Sequence, residues 1–376
     1  MGDLLIRGGM VIDGTGAAPV RSDVLVRDGR IEALLNGAAD VEAERVVDAD
    51  GLVVAPGFID IHTHSDISVL LDGRAQSKVF QGVTTEVVGN CGFSAVPLTE
   101  ESLSDHLDLL AGLGDDPVCP SWRDLAGYAE AVADAGVAVN VAPLVGHGQL
   151  RIAVAGMTDR LSDDQVARMQ ALLAESLDQG AFGLSSGLTY VPSCYADARE
   201  LEVLCATLTE RHAMYATHAR GDGFTAVAEA VALGRATGVR VQYSHIALND
   251  PDHWGRAAHL LREFDGARAE GVDIAYDVYP YEASASALTQ YLPAWVQEGG
   301  VAAMRDRLAD ADTMRRAEIS LAAGWGRDRR LPWLWDRVVL SRTDAVTTAA
   351  YPMADAPKAL ADLAHGRFSG AAVLHN

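Results

Sequence analysis

Short β-rich apolar runs, separated by polar residues and glycines, occupy the first 55 residues, a pattern that predicts β-strands. Strand-forming residues occupy four runs, at positions 4–6, 10–12, 23–26 and 30–34. The Asp28-Gly29 dipeptide between the last two runs is typical of a tight hairpin turn. We therefore expect residues 1–55 to form part of a small β-sandwich.

From Pro56 onward, apolar β-branched runs alternate with helical patterns, which predicts βα units and a parallel sheet. The predicted strands cover residues 58–62, 84–88, 138–142, 181–184, 214–217, 240–244 and 272–276. Seven strands fit a (β/α)8-type barrel, of the TIM-like kind, from which the last strand is absent. The fold class is thus α/β, with residues 56–376 forming the barrel.

One helix is well defined by its ends. Ser162 precedes an apolar face and has Gln165 three positions later, which is the pattern of a capping box. Gly180 is the expected stop signal. The helix is therefore predicted between these residues.

The chain is less regular over residues 285–345, which we interpret as an insertion in the barrel. A helical pattern at 353–366 and an apolar run at 370–374 follow, where an eighth strand would be expected. We expect the eighth strand to be missing. The short run 338–340, followed by Asp344, is interpreted as part of the insertion.

Composition and charge narrow the functional class. The chain has 376 residues, 49% of them hydrophobic and 22% charged, which is ordinary for a globular protein. Its formal net charge of −22 disfavours nucleic-acid binding, because phosphate backbones are repelled. The first residues lack a basic stretch followed by an apolar run, and no segment has the roughly 18 apolar residues of a membrane span. Four cysteines do not make a disulfide framework in a chain of this size, so we expect a cytoplasmic protein.

The strongest chemical signal is PGFIDIHTHSD at residues 56–66. His62 and His64 are two apart at the end of an apolar run, so on a strand both imidazoles point to one face. At the carboxyl end of a barrel strand that face opens into the mouth, where active sites lie. Two neighbouring imidazoles suit Zn²⁺, although a solvated pair is the alternative.

Three further residues repeat this placement. Cys91 lies in a glycine-rich loop just past strand two, while His218 and His245 end strands five and six. Singly, each is more often structural, but together with the first pair they place four histidines and one cysteine at strand ends. His147, after strand three, is interpreted either as a substrate or supporting group or as a structural residue.

These motifs, with GLSSGLTYVP at 183–192, YATHARGDG, YSHIAL and DVYPY, resemble the D-aminoacylase branch of the amidohydrolase superfamily, the N-acyl-D-amino-acid deacylases. The resemblance runs from about residue 3 to the C-terminus. It implies zinc-dependent hydrolysis of the amide bond of N-acyl-D-amino acids, with a small N-acylated amino acid as the partner. It also implies that His62 and His64 bind one metal, whereas Cys91, His218 and His245 hold a tightly bound zinc.

The resemblance assigns the remaining roles less completely. It implies an aspartate general base at the end of strand eight, so we expect the catalytic carboxylate to lie beyond Asn376. Tyr279 is expected to bind the substrate carboxylate, and Ser284, Ser286, Arg220 and His147 are the other substrate-binding candidates. Ala247 and Ala285 stand where some relatives have an assisting lysine and serine.

Two alternatives stay open. One is a cyclic-amide hydrolase of the dihydroorotase or hydantoinase type. The other is a truncated, catalytically silent zinc-binding fragment, since the expected base is absent; on this view residues 1–376 alone have little activity. The two strand edges of an open barrel also favour a partner, so a homo-oligomer is one expectation.

Overall fold

A computed structural model describes residues 3–37, 41–111, 113, 118–221, 223–249, 251–281, 284, 286–322, 349–352 and 372–375. The chain divides into two compact units. One contains Met1–Ile59 with Phe80–Thr84, and the other contains Asp60–Val79 with Thr85–Asn376. The two larger sheets are described separately.

The first unit is built on a five-stranded sheet in the order β3-β2-β1-β4, with β5 also pairing with β1. Its strands are β1 (Leu4–Val11), β2 (Val20–Arg27), β3 (Arg30–Leu35), β4 (Arg45–Asp48) and β5 (Val53–Val54). The predicted runs at 4–6 and 10–12 are one strand, whose register with β2 shifts between Ile6 and Gly9. The predicted hairpin is present, since β2 and β3 pair antiparallel around Asp28 and Gly29.

The second sheet has seven strands in the order of the sequence, β6 to β12. They are β6 (Phe58–Asp60), β7 (Val83–Val88), β8 (Asn140–Gly146), β9 (Gly183–Gly187), β10 (Met214–His218), β11 (Arg240–Tyr243) and β12 (Ile274–Tyr276). Successive strands from β7 to β12 pair in parallel. The prediction of an α/β fold with seven barrel strands is confirmed. Because the strands are parallel, their carboxyl ends share one edge of the sheet.

Helices follow the strands as the βα pattern requires. They are α1 (Ser68–Leu71), α2 (Gln76–Val79), α3 (Leu103–Ala111), α4 (Leu125–Asp134), α5 (His147–Ala155), α6 (Asp163–Asp178), α7 (Ala198–Glu210), α8 (Gly223–Thr237), α9 (Ala257–Ala269), α10 (Ala294–Gln297), α11 (Gly300–Ala309) and α12 (Ala311–Ala322). Within the described part of the chain, short 3₁₀ helices cover Ser193–Tyr195, Pro251–His253 and Leu288–Tyr291.

The predicted helix after Ser162 is α6, and both hydrogen bonds of its capping box are present. The Gln165 backbone N–H donates to Ser162 Oγ over 3.2 Å, and the Ser162 N–H donates to Gln165 Oε1 over 2.8 Å. Gly180, with a φ of 110°, lies just past the end of the helix. Local capping and the apolar face therefore specify this helix together.

Two apolar layers hold the seven-stranded sheet in place. The larger layer packs the sheet against the helices and is centred on buried Leu173, Leu204, Val241 and Phe264. A smaller cluster of Val87, Ala142, Leu144 and Ala216 is contributed by β7, β8 and β10. The carboxyl ends of the strands are thus fixed by rigid packing on both sides.

The region interpreted as an insertion begins with helices α10 to α12, which share the apolar cluster of Leu292, Val296, Leu308 and Ala317. Strands β13 (Ala349–Pro352) and β14 (Ala372–His375) pair in parallel as a separate two-stranded sheet. The run at 370–374 therefore contributes to a strand that is outside the seven-stranded sheet. The predictions for residues 338–340, Asp344 and 353–366 lie outside the described residues. Among the described helices, none is both long and apolar enough to cross a bilayer.

Candidate metal centre

Four imidazoles and one thiol meet at the carboxyl edge of the seven-stranded sheet. The cluster contains two groups of three ligand residues, and within each group the ligand atoms lie within 4.8 Å of one another. One group is His62, His64 and Cys91; the other is Cys91, His218 and His245. Cys91 belongs to both, so the five residues predicted from strand ends form one continuous cluster.

The distances within the cluster fit a small cation. The Cys91 Sγ atom lies 3.3 Å from His62 Nε2 and 3.6 Å from His245 Nε2. The His218 Nδ1 and His245 Nε2 atoms are 2.9 Å apart. Tetrahedral zinc, with bonds of about 2.0–2.3 Å to nitrogen and sulfur, separates its ligand atoms by about 3.5 Å. The described donors therefore match zinc in both chemistry and spacing.

The thiol in this cluster is held as a thiolate. Burial alone would raise the pKa of Cys91, but the charge of His64 and hydrogen bonds with His218, His245 and His62 hold that pKa well below its usual value. Conversely, burial would lower the pKa of His62, yet interactions with Asp277 and Cys91 raise it to about 10. A thiolate among imidazoles is the form of cysteine that binds metal.

The cluster also contains an unpartnered ring nitrogen. His64 Nδ1 is buried and has no hydrogen-bond partner among the described residues. A buried polar atom without a partner costs free energy, so this nitrogen, on a ring that belongs to one of the ligand groups, favours a bound ligand. The residues present therefore fit a metal ion.

The loop that carries Cys91 is shaped by its neighbours. Cys91 has a φ of 56°, in the left-handed region that a non-glycine residue seldom adopts. The next N–H, of Gly92, donates to Ser185 Oγ over 2.9 Å, and the Ser185 hydroxyl donates to the Gly89 carbonyl. Ser185, on β9, thus ties both sides of the loop and fixes the direction of the thiolate.

Three glycines make room for the same loop, and we call them the glycine cradle: Gly146, Gly148 and Gly187. A Cβ at Gly146 would lie 2.7 Å from the Gly92 carbonyl carbon, and one at Gly148 would lie 3.0 Å from the Gly92 oxygen. A Cβ at Gly187 would lie 2.8 Å from the Cys91 carbonyl carbon. The ends of β8 and β9 therefore contribute space rather than ligands.

An ionic cluster holds the loop that follows β6. Asp60 Oδ1 accepts the His62 N–H over 3.2 Å, while Asp60 Oδ2 pairs with Lys78 Nζ at 2.5 Å. Lys78 also donates to Thr63 Oγ1 over 3.0 Å and lies 3.7 Å from buried Glu86. These contacts fix the backbone between the two ligand histidines. The sequence reasoning did not single out Lys78, which lies on α2.

A carboxylate that the sequence reasoning also missed lies beside the ligands. Asp277, just past β12, has its Oδ1 atom 3.3 Å from His62 Nδ1 and accepts the His245 N–H over 2.6 Å. The DVYPY motif contains this residue, but an aspartate after a strand carries little information by itself. Carboxylates that contact metal-binding histidines commonly fix their orientation.

Aromatic side chains line one side of the cluster. The Tyr190 ring centroid lies 4.8 Å from that of His218 and 4.9 Å from that of Phe93. Tyr279, a predicted substrate residue, lies on another side, with its ring centroid 6.5 Å from that of His245. Ser286 joins this region through its Oγ atom, 3.4 Å from the Tyr190 hydroxyl. Ser284 is exposed.

The other two predicted substrate residues are engaged elsewhere. The Arg220 guanidinium pairs with Glu229 at 2.6 Å and donates to the Ala196 carbonyl over 2.6 Å. His147 is fully buried, with Nδ1 3.0 Å from Ser193 Oγ and Nε2 2.7 Å from Glu200 Oε1. Both ring nitrogens of His147 thus have partners inside the protein, which favours the structural alternative.

The network around His147 also contains a buried ion pair. Arg151, only 1% exposed, pairs with Glu200 at 2.6 Å. Burial lowers the pKa of His147, against the effect of Glu200. Burial would raise the pKa of Glu200, but His147 and Arg151 together hold it below its usual value. Glu200 is therefore ionised, and neutral His147 donates from Nε2 while Nδ1 accepts from Ser193.

A protein-family model and several known proteins match this chain in sequence. Residues 45–313 match the model of the amidohydrolase family. An N-acyl-D-glutamate deacylase of Alcaligenes xylosoxydans xylosoxydans is 40% identical over 292 residues, which cover 76% of this chain and 58% of that protein.

Two solved structures are similar in fold and sequence. The N-acyl-D-glutamate deacylase from Bordetella bronchiseptica, complexed with zinc and a phosphonate inhibitor, has a TM-score of 0.67 and 40% identity, covering 74% of this chain and 59% of that one. A D-aminoacylase described as having a binuclear metal centre, with one-metal activation and second-metal attenuation, has a TM-score of 0.68 and 38% identity, covering 75% and 59%. This chain spans less than two thirds of the length of each of these three proteins.

Proposed function

We propose a function for this chain from the fact that it belongs to the amidohydrolase family. It carries the metal centre and substrate pocket of a zinc-dependent enzyme that hydrolyses the amide bond of N-acyl-D-amino acids. The observation that carries the proposal is the convergence of His62, His64, Cys91, His218 and His245 at one sheet edge. The relatives at about 40% identity that act on N-acyl-D-glutamate support the substrate class.

The ligand set divides into a tight and a weaker position. We assign the tightly bound zinc to Cys91, His218 and His245, where the thiolate supplies negative charge. His62 and His64 form the weaker position with the shared sulfur. When bound, zinc supplies Lewis-acid polarisation of the amide carbonyl and lowers the pKa of water at the site.

The chain's own residues bind and orient the substrate. Tyr279, beside His245, is the candidate for the substrate carboxylate, and Ser286 provides a hydroxyl near Tyr190. Arg220 is a weaker candidate than the sequence suggested, because an incoming carboxylate would compete with Glu229 for the guanidinium. Phe93, buried against Tyr190, excludes water from this side of the pocket.

The ligand assignment is tested by zinc content. Cys91→Ala and His218→Ala should each lose the tightly bound zinc after dialysis against a weak chelator, whereas wild type retains it. Cys119→Ala removes an exposed cysteine and is the matched control. Retention of zinc by both ligand variants would refute the assignment.

The substrate class is tested with the zinc-loaded protein. Binding of N-acetyl-D-glutamate, N-acetyl-D-methionine, their L enantiomers and a hydantoin is compared by calorimetry, and amine release is then measured for the same compounds. The proposal expects the D enantiomers to bind more tightly and to be turned over in preference. Equal binding of both enantiomers, or preferred turnover of the hydantoin, would contradict it and favour a cyclic-amide hydrolase.

A further inference from the structure

Asp277 occupies a special place in the sheet. In the seven-stranded order, β6 and β12 are the two outermost strands. His62 lies two residues past β6, and Asp277 directly follows β12. Their side chains nevertheless approach to 3.3 Å, between His62 Nδ1 and Asp277 Oδ1. The segments that follow the two outermost strands thus meet at this pair of side chains.

The carboxylate is itself rigidly held. Its side chain is 10% exposed, and Oδ2 accepts a hydrogen bond of 2.9 Å from Gln242 Nε2. The Asp277 backbone N–H donates to the Tyr243 carbonyl over 3.1 Å, and its carbonyl accepts from Ile246 over 2.9 Å. Asp277 is therefore fixed to the end of β11 by main chain and side chain.

Asp277 determines the backbone at His245. This ligand has a φ of 37°, in the left-handed region, where a non-glycine residue is strained. The His245 N–H donates to Asp277 Oδ1 over 2.6 Å. That hydrogen bond gives the strained conformation a charged acceptor, and it points the ring so that Nε2 reaches Cys91 and His218.

Asp277 also determines which nitrogen of His62 faces the cluster. When a metal ion is bound, the carboxylate favours the tautomer with its proton on Nδ1, so that Nε2, 3.3 Å from the Cys91 sulfur, can coordinate the metal. The two atoms lie at ion-pair distance without the alignment of a hydrogen bond, since Nδ1 has no hydrogen-bond partner among the described residues. Asp277 thus acts on His62 at short range, from 3.3 Å.

We infer that Asp277 is a positioning residue that orients one histidine in each of the two ligand groups. The inference rests on the proposed metal centre but not on the proposed reaction. Contacts of this kind typically change metal affinity about 10–100-fold when they are removed.

Two substitutions separate the two effects. Asp277→Asn keeps an oxygen that can accept the His245 N–H but removes the charge that acts on His62. Asp277→Ala removes both. We therefore expect zinc affinity to fall in both variants, by about 10–100-fold in Asp277→Ala and by less in Asp277→Asn. Asp273→Asn, which breaks an exposed pair with Arg240 just before β12, should leave zinc binding unchanged.

Zinc binding is measured by equilibrium dialysis at buffered free zinc, with metal counted per chain and folding followed by circular dichroism. Cobalt replaces zinc in parallel, and its thiolate absorption band reports the ligand geometry at Cys91. The expected result is a changed band and weaker binding in both Asp277 variants. Zinc affinity within about threefold of wild type in folded Asp277→Asn and Asp277→Ala would overturn the inference.

The design separates this inference from the proposed function. If wild type itself binds no zinc, the metal centre is refuted. If wild type binds zinc and the Asp277 variants match it, only the positioning role is refuted. Should Asp277→Ala fail to fold, Asp277→Asn against Asp273→Asn decides the question, with weaker zinc binding supporting the role and equal binding refuting it.

Discussion

Gly187→Ala tests whether the space left by glycine positions the thiolate. Gly187 ends β9, and its φ lies outside the left-handed region, so alanine is allowed by the backbone. The new Cβ would nevertheless lie 2.8 Å from the Cys91 carbonyl carbon and closer still to its oxygen. Carbon atoms in contact need about 3.5 Å, so the Cys91 backbone would have to move by at least about 0.7 Å.

The displacement sets the expected magnitudes. Metal sites tolerate ligand shifts of only about 0.2 Å, so we expect zinc affinity to fall about 10–100-fold. Overpacking should also lower the free energy of unfolding by about 1–3 kcal/mol. Zinc affinity is measured by chelator competition, and the free energy of unfolding by urea titration of the metal-free protein.

Gly266→Ala is the matched control. Gly266 lies on α9, and a Cβ there would meet nothing within 4 Å. Alanine favours a helix over glycine, so this variant should be more stable by about 0.5–1 kcal/mol, with unchanged zinc affinity. A folded Gly187→Ala variant with wild-type zinc affinity would refute the argument, because the loop would then accept a methyl group without moving the thiolate.

The buried ion pair, the pH response and the helix cap give three further predictions. Glu200→Leu leaves Arg151 buried without its carboxylate and should lower the free energy of unfolding by about 3–5 kcal/mol. In urea titrations, the double variant that also carries Arg151→Leu should recover much of that loss. An equal loss in the single and the double variant would contradict this. In the folded protein the pKa of His147 lies below its ordinary 6.5 and that of Glu200 below its ordinary 4.5. As the pH falls through each ordinary value, the unfolded chain therefore binds more protons than the folded protein. The free energy of unfolding should consequently decrease below about pH 6.5 and again below about pH 4.5. Buried His106 and His218 also have lowered pKa values and add to the first decrease, so it should be smaller in His147→Gln than in wild type; a decrease of unchanged size would refute the assignment of part of it to His147. Ser162→Ala removes the capping box of α6 and should cost about 1 kcal/mol, seen as a lower midpoint of thermal unfolding; an unchanged midpoint would contradict it.

The sequence predicts all seven strands of the parallel sheet to within a few residues, and β9, expected over 181–184, is found at Gly183–Gly187. The prediction is less accurate where tertiary pairing overrides local preference. Strand β8 was expected over residues 138–142 but covers Asn140–Gly146, which includes Pro143 and Gly146. These residues locally favour a turn, yet pairing of β8 with both β7 and β9 extends the strand through them.

The two short strands of the first unit were missed for a different reason. Strand β4, Arg45–Asp48, is exposed along its whole length, and β5, Val53–Val54, has only two residues. Neither shows the alternation of buried and exposed positions that identifies a strand in sequence. Both pair with β1, so they are specified by their neighbour rather than by their own pattern.

The ligand cluster could be predicted from sequence because the chemistry and the position of each residue agree. A histidine or cysteine that directly follows a parallel strand must lie at the shared edge, whichever strand carries it. The role of Asp277 could not be predicted in this way. Its two histidine partners are distant in sequence, and one of them lies beside the opposite outermost strand, so only the curling of the sheet brings them together.

The strands that contribute no ligand are as important to the cluster as those that do. The ligands lie at or just past the ends of β6, β7, β10 and β11, whereas β8 and β9 end in Gly146 and Gly187 of the glycine cradle, against the Cys91 loop. Any side chain there would occupy the volume through which the loop passes. Searching a sequence for reactive side chains overlooks these positions, because glycine has no side-chain functional group. The site is therefore encoded in two parts: residues that bind the metal, and residues whose lack of a side chain lets the thiolate reach it.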